Sequence, residues 1–219
     1  MFRLICLIVG YVCGLFNTSL ALGRLVNFDI RAHGSGNTGT TNMVRTKGWK
    51  MGMLVLFGDA FKAIIPMVVM ALVFGGQSGD ASVGLVKAYT GLGAVLGHNY
   101  PFYTGFRGGK GIATSLGIAF AYHIVLGLFA MACYSVPFFT THYASLASLV
   151  MTLVIFGSLI LHAGLHSEFL FPALSPGGEV ELYAVFGLLA FLAFFRHREN
   201  IVRLLKGQER KTYLTKKIG

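Results

Sequence analysis

Residues 111–167, GIATSLGIAFAYHIVLGLFAMACYSVPFFTTHYASLASLVMTLVIFGSLILHAGLHS, decide the fold. These 57 residues contain no Asp, Glu, Lys or Arg. A membrane-spanning helix needs about 20 apolar residues, so the stretch is long enough for more than one span. In the whole chain of 219 residues, 55% are hydrophobic and only 12% are charged, about half of the roughly 25% typical of soluble domains. We therefore predict an all-α integral membrane protein.

The distribution of basic residues predicts which loops face the cytoplasm. Fifteen of the 18 Lys and Arg residues lie in residues 24–50, in residues 107–110 and in the tail after residue 195. Cytoplasmic loops carry such an excess of basic residues. In a soluble chain a net charge of +10 would suggest nucleic-acid binding, whereas here it fits a membrane face against anionic lipid. We expect the lipid bilayer, and no nucleic acid, as a partner.

The first apolar run, about residues 4–23, also has features of a signal peptide, because Ser19-Leu20-Ala21 fits a small-x-small cleavage site. Cleavage would carry the basic residues 24–50 outward, against the positive-inside rule. We therefore predict a retained span with the N-terminus outside.

The predicted sides of the loops determine whether the number of spans between them is odd or even. Lys110 is predicted to be inside, and the acidic loop that begins at Glu168 is predicted to be outside, so an odd number of crossings separates them. Three crossings fit, with breaks near Gly127 and between Pro137 and His142, and the first two helices would be short and tilted. The total is a seven-helix bundle with a cytoplasmic C-terminus. The predicted spans are about 4–23, 51–75, 82–98, 112–125, 127–140, 143–164 and 181–195.

The first polar segment on the predicted inner face is GSGNTGTTNMVR, residues 34–45. Its glycines allow backbone N–H groups to converge on an anion, and its hydroxyl groups and Arg45 add further donors. These features predict a phosphate site, and the alternative is a flexible polar loop.

The second segment is GHNYPFYTGFRGGKGIAT, residues 97–114. Its glycines lead directly into a predicted helix, so free N–H groups and the positive end of the helix dipole point to the inner surface beside Lys110. It is not a P-loop, because Thr104 and Gly111 stand where that motif needs Gly and Ser or Thr. The alternative is a glycine-rich re-entrant turn with positive-inside charges.

The third segment is RHRENIVRLLKGQE, residues 196–209, which the last span delivers to the inner surface. Arg196, Asn200 and Arg203 share a predicted helical face, with His197 beside it. A surface anchor is the alternative to a site.

Asp59 and Lys62 lie three residues apart within the predicted second span. Ionisable residues are costly inside a membrane and usually face the interior of the bundle. We predict that the two pair with each other beneath the site.

The acidic residues on the predicted inner face are Asp29, Asp59, Glu199 and Glu209, which are too scattered for a Mg²⁺ site. Many cationic and N–H groups with few acids fit phosphates bound without a metal. We therefore expect no metal and no cofactor.

Together the three segments resemble the signature segments of the bacterial acyl-phosphate-dependent glycerol-3-phosphate acyltransferases, the PlsY family, over essentially the whole chain. Mild departures are Thr40 where the family commonly has Ala, Tyr100 for Phe and Arg107 for Lys. The resemblance implies transfer of an acyl group from acyl phosphate to sn-glycerol 3-phosphate, giving lysophosphatidic acid and inorganic phosphate. It also implies a bacterial inner-membrane protein, with its site on the cytoplasmic side and the enzyme that makes the acyl phosphate as a further partner.

The resemblance also assigns roles. The glycerol 3-phosphate phosphate would be bound by Ser35, Arg45 and Lys110, and the glycerol hydroxyls by His197 and Asn200. No protein base is implied, since the phosphate of the donor would take the proton. The remaining residues that we expect to bind substrate are Gly36, Asn37, Thr41, Asn42, Gly108, Gly109, Arg196 and Arg203.

Two other classes of protein fit less well. A transporter for a phosphorylated anion would need polar residues at mid-membrane or on both faces, whereas these segments lie only inside. A CDP-alcohol phosphotransferase would need a run of metal-binding aspartates that the chain does not contain.

Overall fold

The computed structural model describes residues 1–75, 83–165 and 178–214, without the side chains of 159–165. Those residues form ten α-helices and two short 3-10 turns. The helices are α1 (Phe2–Gly14), α2 (Thr18–Leu25), α3 (Thr40–Lys47), α4 (Trp49–Phe74), α5 (Val83–Asn99), α6 (Ile112–Tyr122), α7 (Ile124–Thr141), α8 (Ala144–Leu165), α9 (Gly178–Arg196) and α10 (Arg198–Leu205).

The fold is an all-helical membrane bundle. Among the described residues, four helical stretches are long and apolar enough to cross a bilayer: α1 with α2, α4, α7 and α9. Helices α5, α6 and α8 occupy the other three segments that the sequence predicts as spans. Many large apolar side chains are exposed on the outer faces, as is typical of helices that face lipid, and several of them are at least half exposed. Examples are Phe61, Leu72, Phe129 and Phe191.

Glycines bring α1 and α5 into close contact. Gly10 and Gly14 of α1 lie against the backbone of α5, and Gly93 and Gly97 of α5 lie against α1. A Cβ atom at any of the four would come within 2.0–2.3 Å of a backbone oxygen of the other helix. Both pairs have the G-x-x-x-G spacing that permits close packing of membrane helices. Because Gly10 faces Thr90 and Gly14 faces Ala94, the helices are parallel, which is the relative direction that the sequence predicts for its first and third spans.

The break after α6 is at His123, and the prediction of a break near Gly127 was wrong. His123 has an extended backbone, and its Nδ1 accepts the N–H of Val125 at 3.2 Å, which caps α7. Gly127 lies inside α7, where the ring of Phe120 packs against it. A histidine as a helix cap is a weaker sequence signal than a glycine, and this explains the error.

Two other interruptions concern the predicted spans. The first span is broken at Leu15–Asn17, where Asn17 caps α2 by accepting the N–H of Leu20 at 3.1 Å. The break predicted between Pro137 and His142 is confirmed at His142, which has a φ of 62°. Most of the acidic loop predicted from Glu168 onward, residues 168–177, lies outside the described residues, and its last two acids, Glu179 and Glu181, lie in the first turn of α9.

Candidate functional site

The three polar segments come together at one end of the bundle, which we call the motif end: residues 34–45, 97–114 and 196–209. The Lys110 amine donates to Oδ1 of Asn200, which joins the second segment to the third. Arg196 donates to the carbonyls of Gly108 and Gly109 at 2.8–3.1 Å. Residues of the tail join the first segment to this group. Segments far apart in sequence therefore form one polar cluster.

Backbone hydrogen bonds hold the glycine loop before α6. The N–H groups of Gly108 and Gly109 donate to the carbonyls of Asn99 and His98, both at 3.1 Å. The expectation that these two N–H groups are free for a phosphate was therefore wrong. The free donors begin one residue later. The N–H groups of residues 110–114 donate to no atom of the described residues, and Gly111, with a φ of 78°, turns the chain into α6.

Beside the start of α6, buried polar side chains have no hydrogen-bond partner among the described residues. Asn99 and Thr114 are both fully buried, and neither the Asn99 amide nor the Thr114 hydroxyl is paired. Thr40, at the start of α3, also has an unpaired buried hydroxyl. Such groups are rare in folded proteins and call for a ligand or water. All three residues lie within the polar segments, but no role for them could be predicted from the sequence.

In the first segment, Asn42 shapes the loop. Its Oδ1 accepts the N–H of Ser35 at 2.9 Å, and its Nδ2 donates to the carbonyls of His33 and Ile30 at 3.0 and 3.3 Å. Asn42 is buried, whereas Ser35 and Gly36 are exposed. The amide of Asn42 thus holds Ser35 in place and has little capacity left for a substrate. The other predicted residues, Asn37 and Thr41, are half-buried.

Arg45, on α3, is held by the tail of the chain. Its Nε donates to Oγ1 of Thr212 at 2.8 Å, and its Nη2 donates to the carbonyl of Arg210 at 2.7 Å. A guanidinium has five N–H groups, so three remain for other acceptors. Burial lowers the pKa of Arg45 from its ordinary value, but an arginine remains a cation at neutral pH.

His197 lies between α9 and α10 and is buried. Its Nδ1 is 2.8 Å from the carbonyl of Ala193. A carbonyl only accepts, so Nδ1 carries the hydrogen and Nε2 is left with a lone pair. Burial, together with the positive charge of Lys110, lowers the pKa of His197 to about 3. His197 is therefore a neutral acceptor at physiological pH and a weak base.

Glu209 organises the third segment, a role that was not predicted from the sequence. Its carboxylate is buried and accepts from Nδ2 of Asn200 and Nε of Arg203, each at 2.9 Å. Asn200 is thereby oriented with Oδ1 toward Lys110. Arg203, expected to bind substrate, is paired with Glu209, and Arg196 bonds the glycine loop. Both arginines therefore build the site.

Lys110 has a cationic group without a nearby carboxylate. In the described part of the chain no acid lies within 4.0 Å of its amine. Burial lowers the pKa of Lys110 to about 8; the charge of Glu209 opposes this shift, and neighbouring arginines add to it. The motif end therefore has unbalanced positive charge.

Beneath the motif end, the predicted pairing of Asp59 with Lys62 is confirmed. The Lys62 amine donates to Asp59 at 2.9 Å and to the carbonyl of Phe16 at 2.9 Å, and it lies 2.6 Å from Nδ1 of His98. The His98 ring packs directly under Gly109, where a Cβ atom would lie 2.0 Å from Nε2. The buried pair thus supports the glycine loop.

A small, half-open cleft lies between α6, α8 and α9. Its wall is mostly apolar and begins at Ser115, one residue beyond the free N–H groups of α6; Ile118, Phe186 and Leu189 also line it. In residues 1–75, 83–165 and 178–214, no three His, Cys, Asp or Glu side chains are grouped as metal ligands would be.

The chain is similar to known proteins over most of its length. A family model described as glycerol-3-phosphate acyltransferase matches residues 4–207. The glycerol-3-phosphate acyltransferase of Aquifex aeolicus (strain VF5) is 38% identical over 96% of this chain and 100% of its own length. That of Rhodospirillum rubrum is 37% identical over 97% of this chain and 92% of its own.

Two solved structures are similar to the whole bundle. Both are crystal structures of PlsY (YgiH), an integral membrane glycerol 3-phosphate acyltransferase, and both are 36% identical in sequence. The glycerol 3-phosphate form has a TM-score of 0.80 and covers 96% of each chain. The lysophosphatidic acid form has a TM-score of 0.78 and covers 95% of this chain and 94% of its own.

Proposed function

The chain belongs to the glycerol-3-phosphate acyltransferase family, and we propose that its acyl donor is an acyl phosphate. It is a membrane acyltransferase that acylates glycerol 3-phosphate, the first acylation of phospholipid synthesis. In the proposed reaction the acyl group passes to the 1-hydroxyl, and the products are lysophosphatidic acid and inorganic phosphate. The observation that carries the proposal is the unbalanced positive charge of the motif end beside unused N–H groups.

The phosphate of glycerol 3-phosphate is bound by Ser35, Arg45 and Lys110. Arg45 has three free N–H groups, Lys110 has no carboxylate partner among the described residues, and Asn42 holds the exposed Ser35. Charged hydrogen bonds of this kind are the strong ones in phosphate recognition.

The head of the acyl phosphate lies at the start of α6. The free N–H groups of residues 110–114 and the positive end of the helix dipole favour an anion there. The unpaired amide of Asn99 and hydroxyl of Thr114 offer further donors. We expect Gly36, Asn37 and Thr41 of the first segment to contact the same head. Gly108 and Gly109 shape the loop before α6 through their bonds to Asn99 and His98.

The glycerol hydroxyls are oriented by His197 and Asn200. The lone pair on Nε2 of the neutral His197 accepts a hydroxyl hydrogen, but a pKa of about 3 makes this group a poor base. The hydroxyl oxygen attacks the acyl carbon, the bond from that carbon to the phosphate oxygen breaks, and the departing phosphate takes the proton. Because the donor is already activated, the protein supplies mainly positioning and charge stabilisation.

The acyl chain occupies the cleft between α6, α8 and α9. This cleft is mostly apolar and begins at Ser115, next to the start of α6. The acyl chain therefore remains in an apolar environment while the phosphate head of the donor meets the soluble substrate. The motif end faces the cytoplasm of a bacterial inner membrane, with seven crossings and the N-terminus outside. The clustering of basic residues and the parallel first and third spans support this topology.

One assay tests the donor. Purified protein with labelled glycerol 3-phosphate is supplied with either acyl phosphate or acyl-CoA, and lysophosphatidic acid and phosphate are measured. We expect turnover with release of phosphate from acyl phosphate and none from acyl-CoA. Comparable rates from acyl-CoA would disprove the donor assignment. EDTA is expected to leave the rate unchanged, since cations of the chain and helix N–H groups hold the phosphates.

A further inference from the structure

The tail beyond α10 crosses the motif end as a segment that is neither helix nor strand, residues 207–214, which we call the C-terminal strap. Arg210 donates to the carbonyl of Gly34 at 3.0 Å, so the strap contacts the first polar segment. The N–H of Thr212 donates to the carbonyl of His142 at 2.9 Å, and the ring of Tyr213 packs on the His142 ring with centroids 4.5 Å apart. The strap therefore connects the first segment to the turn between α7 and α8.

Arg45 is fixed where the strap crosses it. The strap supplies both acceptors that Arg45 has among the described residues, the Thr212 hydroxyl and the Arg210 carbonyl. Thr212 is 2% exposed, so its hydroxyl bond is shielded from water. Using Nε and one N–H of Nη2 fixes the plane of the guanidinium and leaves the Nη1 side free.

We propose that Thr212 is a positioning residue that aims the free side of the Arg45 guanidinium at the phosphate of glycerol 3-phosphate. The inference rests on the proposed role of Arg45 in binding that phosphate. A long side chain that is held in one orientation loses less conformational entropy when it binds, so a fixed Arg45 binds its ligand more tightly than a free one. Thr212 acts only through Arg45 and does not itself contact the substrate.

The structure allows this role to be separated from a role in holding the strap. The strap is also anchored by the Thr212 backbone N–H, the Tyr213 ring and the Arg210 side chain. A Thr212→Val substitution keeps the shape and the backbone of Thr212 and removes only the hydroxyl acceptor. Thr140→Val is a matched control, because the Thr140 hydroxyl is exposed and donates to carbonyls within its own helix.

The experiment measures KM for glycerol 3-phosphate, kcat and Tm for Thr212→Val, Thr212→Ser and Thr140→Val. We expect Thr212→Val to raise KM roughly 3- to 10-fold, because a misaimed binding group loses affinity. Its kcat should stay within about twofold and its Tm near that of the parent protein. Thr212→Ser should restore KM, and Thr140→Val should leave all three values unchanged.

A double-substitution cycle shows whether Thr212 acts through Arg45. In an Arg45→Ala background, Thr212→Val should have no further effect on KM. An additive loss would overturn the proposal, as would an unchanged KM in Thr212→Val or a KM rise that follows a fall in Tm. If Arg45→Ala raises KM and Thr212→Val does not, only the positioning role fails. If Arg45→Ala itself leaves KM unchanged, the assignment of Arg45 fails as well.

Discussion

Two lysines of this protein lie in contrasting surroundings. Lys62, inside α4, has a carboxylate, a carbonyl and a histidine nitrogen within 2.6–2.9 Å of its amine. Lys110, before α6, donates to the neutral amide of Asn200 and has no carboxylate within 4.0 Å in the described part of the chain. Lys62 is buried and Lys110 is half-buried, and of the two only Lys62 has a carboxylate beside its amine among the described residues.

This difference in partners indicates which lysine stabilises the fold and which one binds a ligand. A buried cation with a full set of partners stabilises the fold as long as the partners remain. A buried cation without a countercharge is costly and is retained where an external anion supplies it. Lys62 should therefore matter chiefly for stability, and Lys110 chiefly for activity.

The largest expected effect is the loss of stability on breaking the Lys62 pair. Lys62→Met leaves Asp59 charged and buried with the hydroxyl of Thr18 as its remaining donor. Removing one partner of a buried ion pair costs about 3–5 kcal/mol, a fall of roughly 6–20 °C in Tm for a chain of this size. Thermal denaturation of the purified protein in detergent measures it.

The matched control is the double variant Asp59→Asn/Lys62→Met, which removes both charges. It should recover part of the lost Tm, because no uncompensated charge remains. If Lys62→Met has the same Tm as the parent protein, the Asp59–Lys62 pair does not stabilise the bundle. The proposed difference between a lysine that stabilises the fold and one that binds a ligand would then be wrong.

The second effect is on catalysis, at Lys110. Lys110→Ala removes a charge-assisted contact worth about 1.5–3 kcal/mol, which lowers kcat/KM for glycerol 3-phosphate roughly 10- to 150-fold. Tm should change little, since within the described part of the chain the amine loses one bond to a neutral amide. Arg45→Ala should behave similarly. The control is Arg198→Ala, because the Arg198 side chain is exposed, donates to the nearby carbonyl of Phe195 and lies over the ring of the same residue.

Steady-state kinetics and Tm are measured together on the three variants. If a folded Lys110→Ala protein has nearly the kcat/KM of the parent protein, Lys110 does not bind substrate. Its charge would then serve only to orient the chain in the membrane. Equal losses in Arg198→Ala would point to a general effect of surface charge.

The spans and the motif end could be predicted from the sequence, because both depend on local composition. Apolar runs of span length, basic loops and glycine-rich segments are visible without any partner. Even the Asp59–Lys62 pair is local, since its members are three residues apart on one helix face.

The contacts within the site could not be predicted, because they join residues distant in sequence. Lys110 and Asn200 are 90 residues apart, and Arg45 and Thr212 are 167 apart. No periodicity marks such pairs. For the same reason, free backbone donors were placed at Gly108 and Gly109, whose N–H groups are taken by carbonyls at the end of α5.

The third prediction concerns pH and sharpens the contrast at Lys110. Its pKa of about 8 means that the cation predominates below pH 8 and the neutral amine above it. If the cation binds phosphate, kcat/KM falls as pH rises through 8, by about tenfold between pH 7 and pH 9. In Lys110→Arg the remaining activity should lack this fall, because a guanidinium stays charged throughout the range. A parent profile that is flat from pH 7 to pH 9 would contradict the assignment.

The smallest effect is expected from removing a cation that already has a carboxylate partner, in the ion pair between α1 and α9. The Arg3 side chain bonds the Glu181 carboxylate, which also accepts from the hydroxyl of Tyr89 at 2.6 Å. Arg3 is 40% exposed in this pair, and exposed pairs contribute only about 0.2–1 kcal/mol. Arg3→Ala should therefore lower Tm by a few degrees at most and leave kcat/KM for glycerol 3-phosphate within about twofold. A loss of kcat/KM as large as that in Lys110→Ala would mean that any cation of the bundle supports activity, and the distinction between balanced and unbalanced charge would have no functional meaning.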